Sequence, residues 1–279
     1  MSGRRAAIKE VAGPRMAMPI GYIHGTGAAE QERLARLNRL TNPPFLEFLA
    51  CRPGERALEV GSGLGILAAQ AAARLAPGFL AGVEVAWDQL ATAARQAGPG
   101  LHFCRADGHS LPFASSAFDL VYGRYVLEHV GDPVRLLREM RRVLRAGGRA
   151  CVQENDNFAL KFDPPCPRFD RVWRRFAALQ RRLGGDPLIG KKLFRLFRQA
   201  GFNRVELSLQ PQMHAAGTPD FRPWVENFIA LARPVRRALV EAGLASGAEV
   251  DAGCAELERL LNRDDATAIF YWNRARGWK

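Results

Sequence analysis

Three acidic residues in the first half of the sequence have the type and spacing to do chemistry. They are Glu59 in ALEVGSGLG, Glu84 in FLAGVEV and Asp107 in CRADGHSLPF. Glu59 stands two positions before a loop carrying Gly61, Ser62, Gly63 and Gly65. With no Cβ in the way, the backbone of such a loop can closely approach a ligand. The dinucleotide fingerprint needs a glycine three residues after the second, where this sequence has Ile66, and a Walker loop needs a Gly-Lys-Ser/Thr that is missing. A carboxylate beside the loop suits a ligand with a cationic end, such as an amino acid. Glu84, 25 residues beyond Glu59, can accept from both hydroxyls of a ribose. Asp107 can accept from an adenine amino group. Each acid alone is more often a cap or a surface residue; three at successive strand ends point to one ligand.

Histidine is the natural side chain to take a proton near neutral pH. Of the five, His102 falls within a strand and His214 follows one, so neither is placed for chemistry. His109 lies beside the expected adenine pocket. His129, in YVLEHV just beyond the fourth strand, is the preferred catalytic base. His24, in YIHG, is the second choice. A reaction at a neutral amine or a carbon nucleophile would need neither.

The elements that must position these groups read clearly. EQERLARLNRL places Leu34, Leu37 and Leu40 on one side of a helix, and Asn42-Pro43-Pro44 is expected to break it. ALEV, FLAGVEV, LHFCRAD, FDLVYGRY and ACVQE read as five strands, alternating with helices. The helix DPVRLLREMRRVLR has Asp132 as N-cap, Pro133 at its first position and Gly147-Gly148 to end it. This alternation predicts a parallel sheet with helices on both faces. After Glu154 come two amphipathic helices, the strand FNRVELSLQ, a helical stretch from Thr218 to Arg263 and the strand TAIFYW. The helical insertions should cap the sheet's carboxyl end, where ligands bind in such folds.

The pieces LEVGSGLG, VEVAWDQL, ADGHSLPF, FDLVYGRYVLEHV and RRVLRAGGRACVQE, in this order from about Arg56 to Glu154, resemble the class I S-adenosylmethionine-dependent methyltransferases. The resemblance implies a Rossmann-like sheet of seven strands, mostly parallel with the last antiparallel. It also implies S-adenosyl-L-methionine as cofactor. By the same likeness, Glu59, Gly61, Ser62, Gly63 and Gly65 hold the methionine end. Glu84 and Val85 hold the ribose, Asp107, Gly108 and His109 the adenine, and the Arg124 backbone the methionine amino group. The flanks resemble a bacterial small-molecule branch, with Tyr22 and Arg33 on an N-terminal lid that reaches the methionine carboxylate. Tyr125, Asn155, Phe158, Trp224 and Phe228 are then expected to contact the acceptor. The expected division is a tail and lid over 1–50, a cofactor core over 51–160 and completion of the sheet with its cap over 161–279.

Composition narrows the remaining choices. Of the 279 residues 48% are apolar and 24% charged, which fits a globular chain and excludes a disordered one. No apolar run approaches the length of a membrane helix, and Lys9 and Glu10 interrupt the first residues, so neither a span nor a signal peptide is expected. Five scattered cysteines without a C-x-x-C pair suggest no zinc site, no disulfide framework and a cytoplasmic setting. The net charge of +12 comes mostly from arginines spread along helices, which favours a solvated basic surface over a nucleic-acid site. Asn42-Pro43-Pro44-Phe45 has the letters of an amino-methylating nucleic-acid motif but follows a helix, where that motif follows a strand. Use of the bound cofactor as scaffold for a non-methylating reaction is the other alternative. Methyl transfer to a small molecule is the expected function, and nothing in the sequence fixes an oligomeric state.

Overall fold

The computed structural model describes Gly25 and residues 27–279, so Tyr22 and His24 lie outside the described residues. The chain opens with α1 (Ala28–Leu49) and then alternates: β1 (Arg56–Val60), α2 (Ile66–Leu75), β2 (Phe79–Glu84), α3 (Trp87–Ala93), β3 (Leu101–Arg105), β4 (Phe118–Arg124), α4 (Pro133–Val143) and β5 (Leu144–Glu154). The second half runs through β6 (Lys161–Asp163), α5 (Pro167–Arg182), α6 (Leu193–Gln199), β7 (Arg204–Ala215), α7 (Phe221–Ala232), α8 (Arg236–Glu241), α9 (Gly247–Leu260) and β8 (Thr267–Trp278). The sheet order is β3-β2-β1-β4-β5-β8-β6, with β7 on the other side of β8. The first five strands are parallel; β8 is antiparallel to β5, β6 and β7. This is the expected Rossmann-like sheet, with the three-residue β6 as an added short strand.

Side-chain alternation explains why the middle of the central strands is mostly apolar on both faces. Ala57 and Leu120 face a core shared with α1 and α2, built around Phe45, Leu49, Leu67 and Leu75. Their chain neighbours Leu58 and Val121 face the opposite core, with Leu137, Met140, Leu193 and Phe197 from α4 and α6. A strand covered on both faces carries no polar face. A third core joins α5, α7, α8 and α9 to β6 and β8 through Phe169, Trp173, Trp224, Phe228, Leu257 and Phe270. That third core is the cap.

Two local expectations are corrected. Helix α1 does not break at Asn42-Pro43-Pro44 but carries Pro43 and Pro44 in its interior. The prolines remove two backbone donors, and the half-buried Arg124 guanidinium braces that stretch by donating to Asn38 Oδ1, Asn42 Oδ1 and Thr41 Oγ1. The Asn42 amide also donates to Gln70 at 2.7 Å. Helix α4 keeps its expected start, with Asp132 accepting from Arg135 N at 2.9 Å and Pro133 in the first turn. It ends at Val143, however, and Gly147 and Gly148 lie inside β5. The β4–β5 register jumps there, from Phe118↔Leu144 to Leu120↔Arg149. Gly147, at φ 75, supplies the left-handed residue that such a bulge needs.

Candidate active site

A cavity of about 690 Å³ opens over the carboxyl ends of β1, β2 and β4 and extends under the cap. Its walls bring together most of the residues singled out in the sequence: Arg33, Gly61, Gly63, Glu84, Val85, Asp107, Gly108, His109, Arg124, Tyr125, His129, Asn155, Trp224 and Phe228. Glu59, Ser62, Gly65 and Phe158 are not among the lining residues. Phe158 lies instead beneath the guanidinium groups of Arg174 and Arg181, 5.4 and 6.0 Å from its ring.

One half of the cavity is made by strand ends. Gly61 and Gly63 take φ 73 and 52, a conformation that favours glycine. A Cβ on Gly61 would strike Val126 at 2.5 Å. Glu84 is clasped by backbone: Gly63 N donates to Oε2 at 2.9 Å, and Val85 N and Ala86 N donate to Oε1 at 2.8 and 2.9 Å. Burial raises its carboxyl pKa, and these three N–H groups counter the rise. Asp107 Oδ1 accepts from His109 N at 2.9 Å and lies 2.8 Å from His109 Nδ1. His109 thus orients the aspartate as well as packing beside it.

Glu59 sits beneath this half, 3% exposed, and its Oε2 has no hydrogen-bond partner. Burial pushes its pKa up to about 8, partly offset by the Arg124 charge. An orphaned buried carboxylate beside a bare glycine backbone fits a ligand that brings its own ammonium group. Arg33 lines the cavity from α1. Its Nε and Nη2 donate to Glu30, and its Nη1 donates to Asn227 of α7 at 2.8 Å, so it ties the first helix to the cap. Arg124 turns its guanidinium towards α1, and the next residue, Tyr125, takes φ 59 where the chain leaves β4. Tyr125 N donates to Gln153 O at 2.9 Å, which fixes that turn.

The other half of the cavity is aromatic and was only partly anticipated. Trp173 and Phe176 of α5 stack at 4.8 Å, and Trp224 and Phe228 of α7 meet edge to face at 5.4 Å. Phe270 and Trp272 of β8 complete the wall. Glu128, Asn157, Gln180 and Asn227 add polar groups that the sequence reading did not select. Glu128 stands one residue before His129 in YVLEHV, and that adjacency was the available signal. His129 Nε2 lies 3.7 Å from Glu128 Oε1, and burial lowers the histidine pKa.

A parallel sheet with a glycine-rich first loop and acids at successive strand ends makes an α/β fold with its crevice at the carboxyl ends of the strands, where such folds bind ligands. Residues 58–152 match the methyltransferase-domain family. Over those residues the chain resembles the methyltransferases of the class I S-adenosylmethionine-dependent superfamily. It is 34% identical over 161 residues to an uncharacterised 37.1 kDa protein of transposon TN4556 from Streptomyces fradiae, covering 57% of this chain and 46% of that one. It is 36% identical over 122 residues to the demethylmenaquinone methyltransferase of Beutenbergia cavernae, covering 42% and 48%. The chain spans about half or less of the length of the first curated relatives it matches. Among solved structures, the YcgJ protein of Bacillus subtilis shares the fold with a TM-score of 0.54 at 17% identity, covering 86% of this chain and 99% of that one. No helix among the described residues is long and apolar enough to cross a membrane, and no cluster among them has the make-up of a metal site.

Proposed function

We propose that the protein transfers a methyl group from S-adenosyl-L-methionine to a small-molecule acceptor held under the cap. The observation that carries this reading is the shared cavity wall of Gly61, Gly63, Glu84 and Asp107, with the orphaned Glu59 carboxylate beneath it. Glu59 and the glycine backbone would hold the methionine end, Glu84 and Val85 the ribose, and Asp107, Gly108 and His109 the adenine. Arg33 and, outside the described residues, Tyr22 would close over the methionine carboxylate. When bound, the cofactor supplies a methyl group already activated by its sulfonium sulfur. The chain's task is then to orient the acceptor and keep water away, and orientation of that kind contributes on the order of 7–11 kcal/mol.

The cap supports a small acceptor, because its aromatic wall makes a largely apolar lobe beside the strand ends. Tyr125, Asn155, Trp224 and Phe228 line that lobe, whereas Phe158 lies outside it and is not assigned to the acceptor. The relative from Beutenbergia cavernae, a demethylmenaquinone methyltransferase by name, is in keeping with a ring-shaped acceptor. Asn42-Pro43-Pro44-Phe45, the letters of a nucleic-acid enzyme, is a braced helix segment away from the cavity lining. His129 in the wall is a candidate proton acceptor, with His24 as the second. Titration calorimetry tests the reading: S-adenosylmethionine and S-adenosylhomocysteine should bind the wild-type protein, and absence of both would overturn it.

A further inference from the structure

The aromatic lobe contains a carboxylate whose position is set by two amides. Glu128 is 4% exposed and lines the cavity. Asn155 Nδ2 donates to its Oε1 at 2.5 Å, and Gln180 Nε2 donates to its Oε2 at 3.0 Å. Both amides are themselves oriented. Asn155 Oδ1 accepts from Trp272 Nε1 at 3.0 Å, and Gln180 Oε1 accepts from Asn157 Nδ2 at 3.3 Å. Trp173 Nε1 donates to Asn157 O at 2.7 Å and so ties the network to α5. The N–H ends of both amides therefore face Glu128, so each of its oxygens accepts one amide hydrogen bond.

A carboxylate pair of oxygens offers about four acceptor positions. Two are taken by the amides, which leaves room for a further donor brought by a ligand. Directly behind, Glu154 accepts from Val126 N and Leu127 N at 3.0 and 2.9 Å and is sealed from solvent. A second observation comes from the same wall: Trp224 Nε1 is buried and lacks a hydrogen-bond partner. A flat ring with a hydroxyl for Glu128 and another oxygen for the Trp224 N–H would satisfy both groups between stacking surfaces.

We propose that Glu128 receives the proton of a phenolic hydroxyl on a flat aromatic acceptor, which makes the acceptor class phenolic and Glu128 the catalytic base. This rests on the methyl-transfer reading above. The O–H bond breaks and its proton passes to a Glu128 oxygen as the phenol oxygen bonds to the methyl carbon. The electron pair of the broken S–C bond stays on sulfur. Charge balances, since the carboxylate and the sulfonium both become neutral.

The test uses 2-naphthol and 2-methoxynaphthalene as probes, which share a ring system but only the first has the donor. Binding is followed through the fluorescence of Trp173, Trp224 and Trp272, with S-adenosylhomocysteine binding measured in parallel by calorimetry. The wild-type protein should prefer 2-naphthol by about tenfold or more, the scale of one hydrogen bond to a charged group. Glu128→Gln should reduce that preference to within about twofold, and Glu128→Asp should keep part of it. A purely structural Glu128 would alter stability and leave the hydroxyl preference untouched. Retained preference in Glu128→Gln with S-adenosylhomocysteine binding intact overturns the proposal. So does a wild-type protein that fails to bind 2-naphthol at about 1 mM or does not discriminate between the probes. If Glu128→Gln does not fold, Glu128→Asp decides: kept preference supports the base, and lost preference in a folded protein removes it. Hydroxyl preference without S-adenosylhomocysteine binding in the wild-type protein would break the methyl-transfer reading and leave the phenol site standing.

Discussion

The two halves of the cavity are built by different means. The half proposed for the cofactor uses backbone: Glu84 is held by the N–H groups of Gly63, Val85 and Ala86, and Asp107 by that of His109. These partners lie within one βα unit or its neighbour. The half proposed for the acceptor uses side chains delivered by α5, α7 and β8 and by the loop after β5, among them Trp173, Trp224, Phe228, Phe270 and Trp272. A site made from strand ends inherits its geometry from the sheet's hydrogen bonds, whereas one made from packed rings is only as fixed as its packing. Changes in the two halves should therefore have separable consequences: ligand affinity in the first, cap stability and acceptor choice in the second.

The sharpest way to break that contrast is Trp224→Ala. The ring is 1% exposed and touches Phe228, Phe270, Trp272 and His214. Chemical denaturation should show a loss of about 3–5 kcal/mol, the cost of removing a buried aromatic side chain. S-adenosylhomocysteine affinity in the folded fraction should be unchanged, and a parallel loss would show that the two halves form one energetic unit. The reciprocal change is Glu84→Ala. Calorimetry should show cofactor affinity weakened by about 1.5–3 kcal/mol, with 2-naphthol binding retained. Unchanged cofactor affinity would remove Glu84 from the site.

A pH profile sharpens the contrast, because the cofactor half stores an ionisation cost. The Glu59 carboxyl titrates at about 8, above its usual value, because it is buried. The folded protein therefore binds a proton that the unfolded chain releases at lower pH. Stability from this group is full below the ordinary carboxylate range and is lost as pH rises through about 8. Urea midpoints without ligand should fall between about pH 5 and 9 by the equivalent of about 1–3 kcal/mol, and Glu59→Gln should flatten that fall. The smallest effect is expected at Phe158, outside both halves. Phe158→Ala should cost about 0.5–1 kcal/mol of stability through lost stacking with Arg174 and Arg181 and leave 2-naphthol affinity unaltered.

The same contrast explains what could be read from the sequence. Glu59, the glycines, Glu84 and Asp107 were legible because each marks the end of a strand that announces itself by local apolar runs. The aromatic surface of Trp173, Phe176, Trp224 and Phe228 was legible as a cap over the sheet, but Trp272 and Gln180 were not, because periodic spacing shows that a helix or strand is buried without showing what it faces. Glu128 was hidden for a related reason: its donors come from Asn155 and Gln180, 27 and 52 residues away. The unbroken α1 makes the point most directly. The two prolines signal a break by local rules, and the arginine that braces them arrives from β4, 82 residues beyond Asn42.

The pairing of β8 has a consequence for how the protein is made. This strand joins β5 along Asn273–Trp278 and β6 along Thr267–Ile269 on one side, and lies against β7 over all its twelve residues on the other. It follows in sequence every strand it joins. During vectorial synthesis β1 to β5 can assemble as they emerge, but β5, β6 and β7 keep open edges until residues 267–278 have been translated. Such edges are templates for pairing with other chains. A nascent chain stalled near residue 265 would thus present a finished cofactor half beside an unclosed seam, and holdase chaperones should engage it there in preference to the Gly61–Gly65 end.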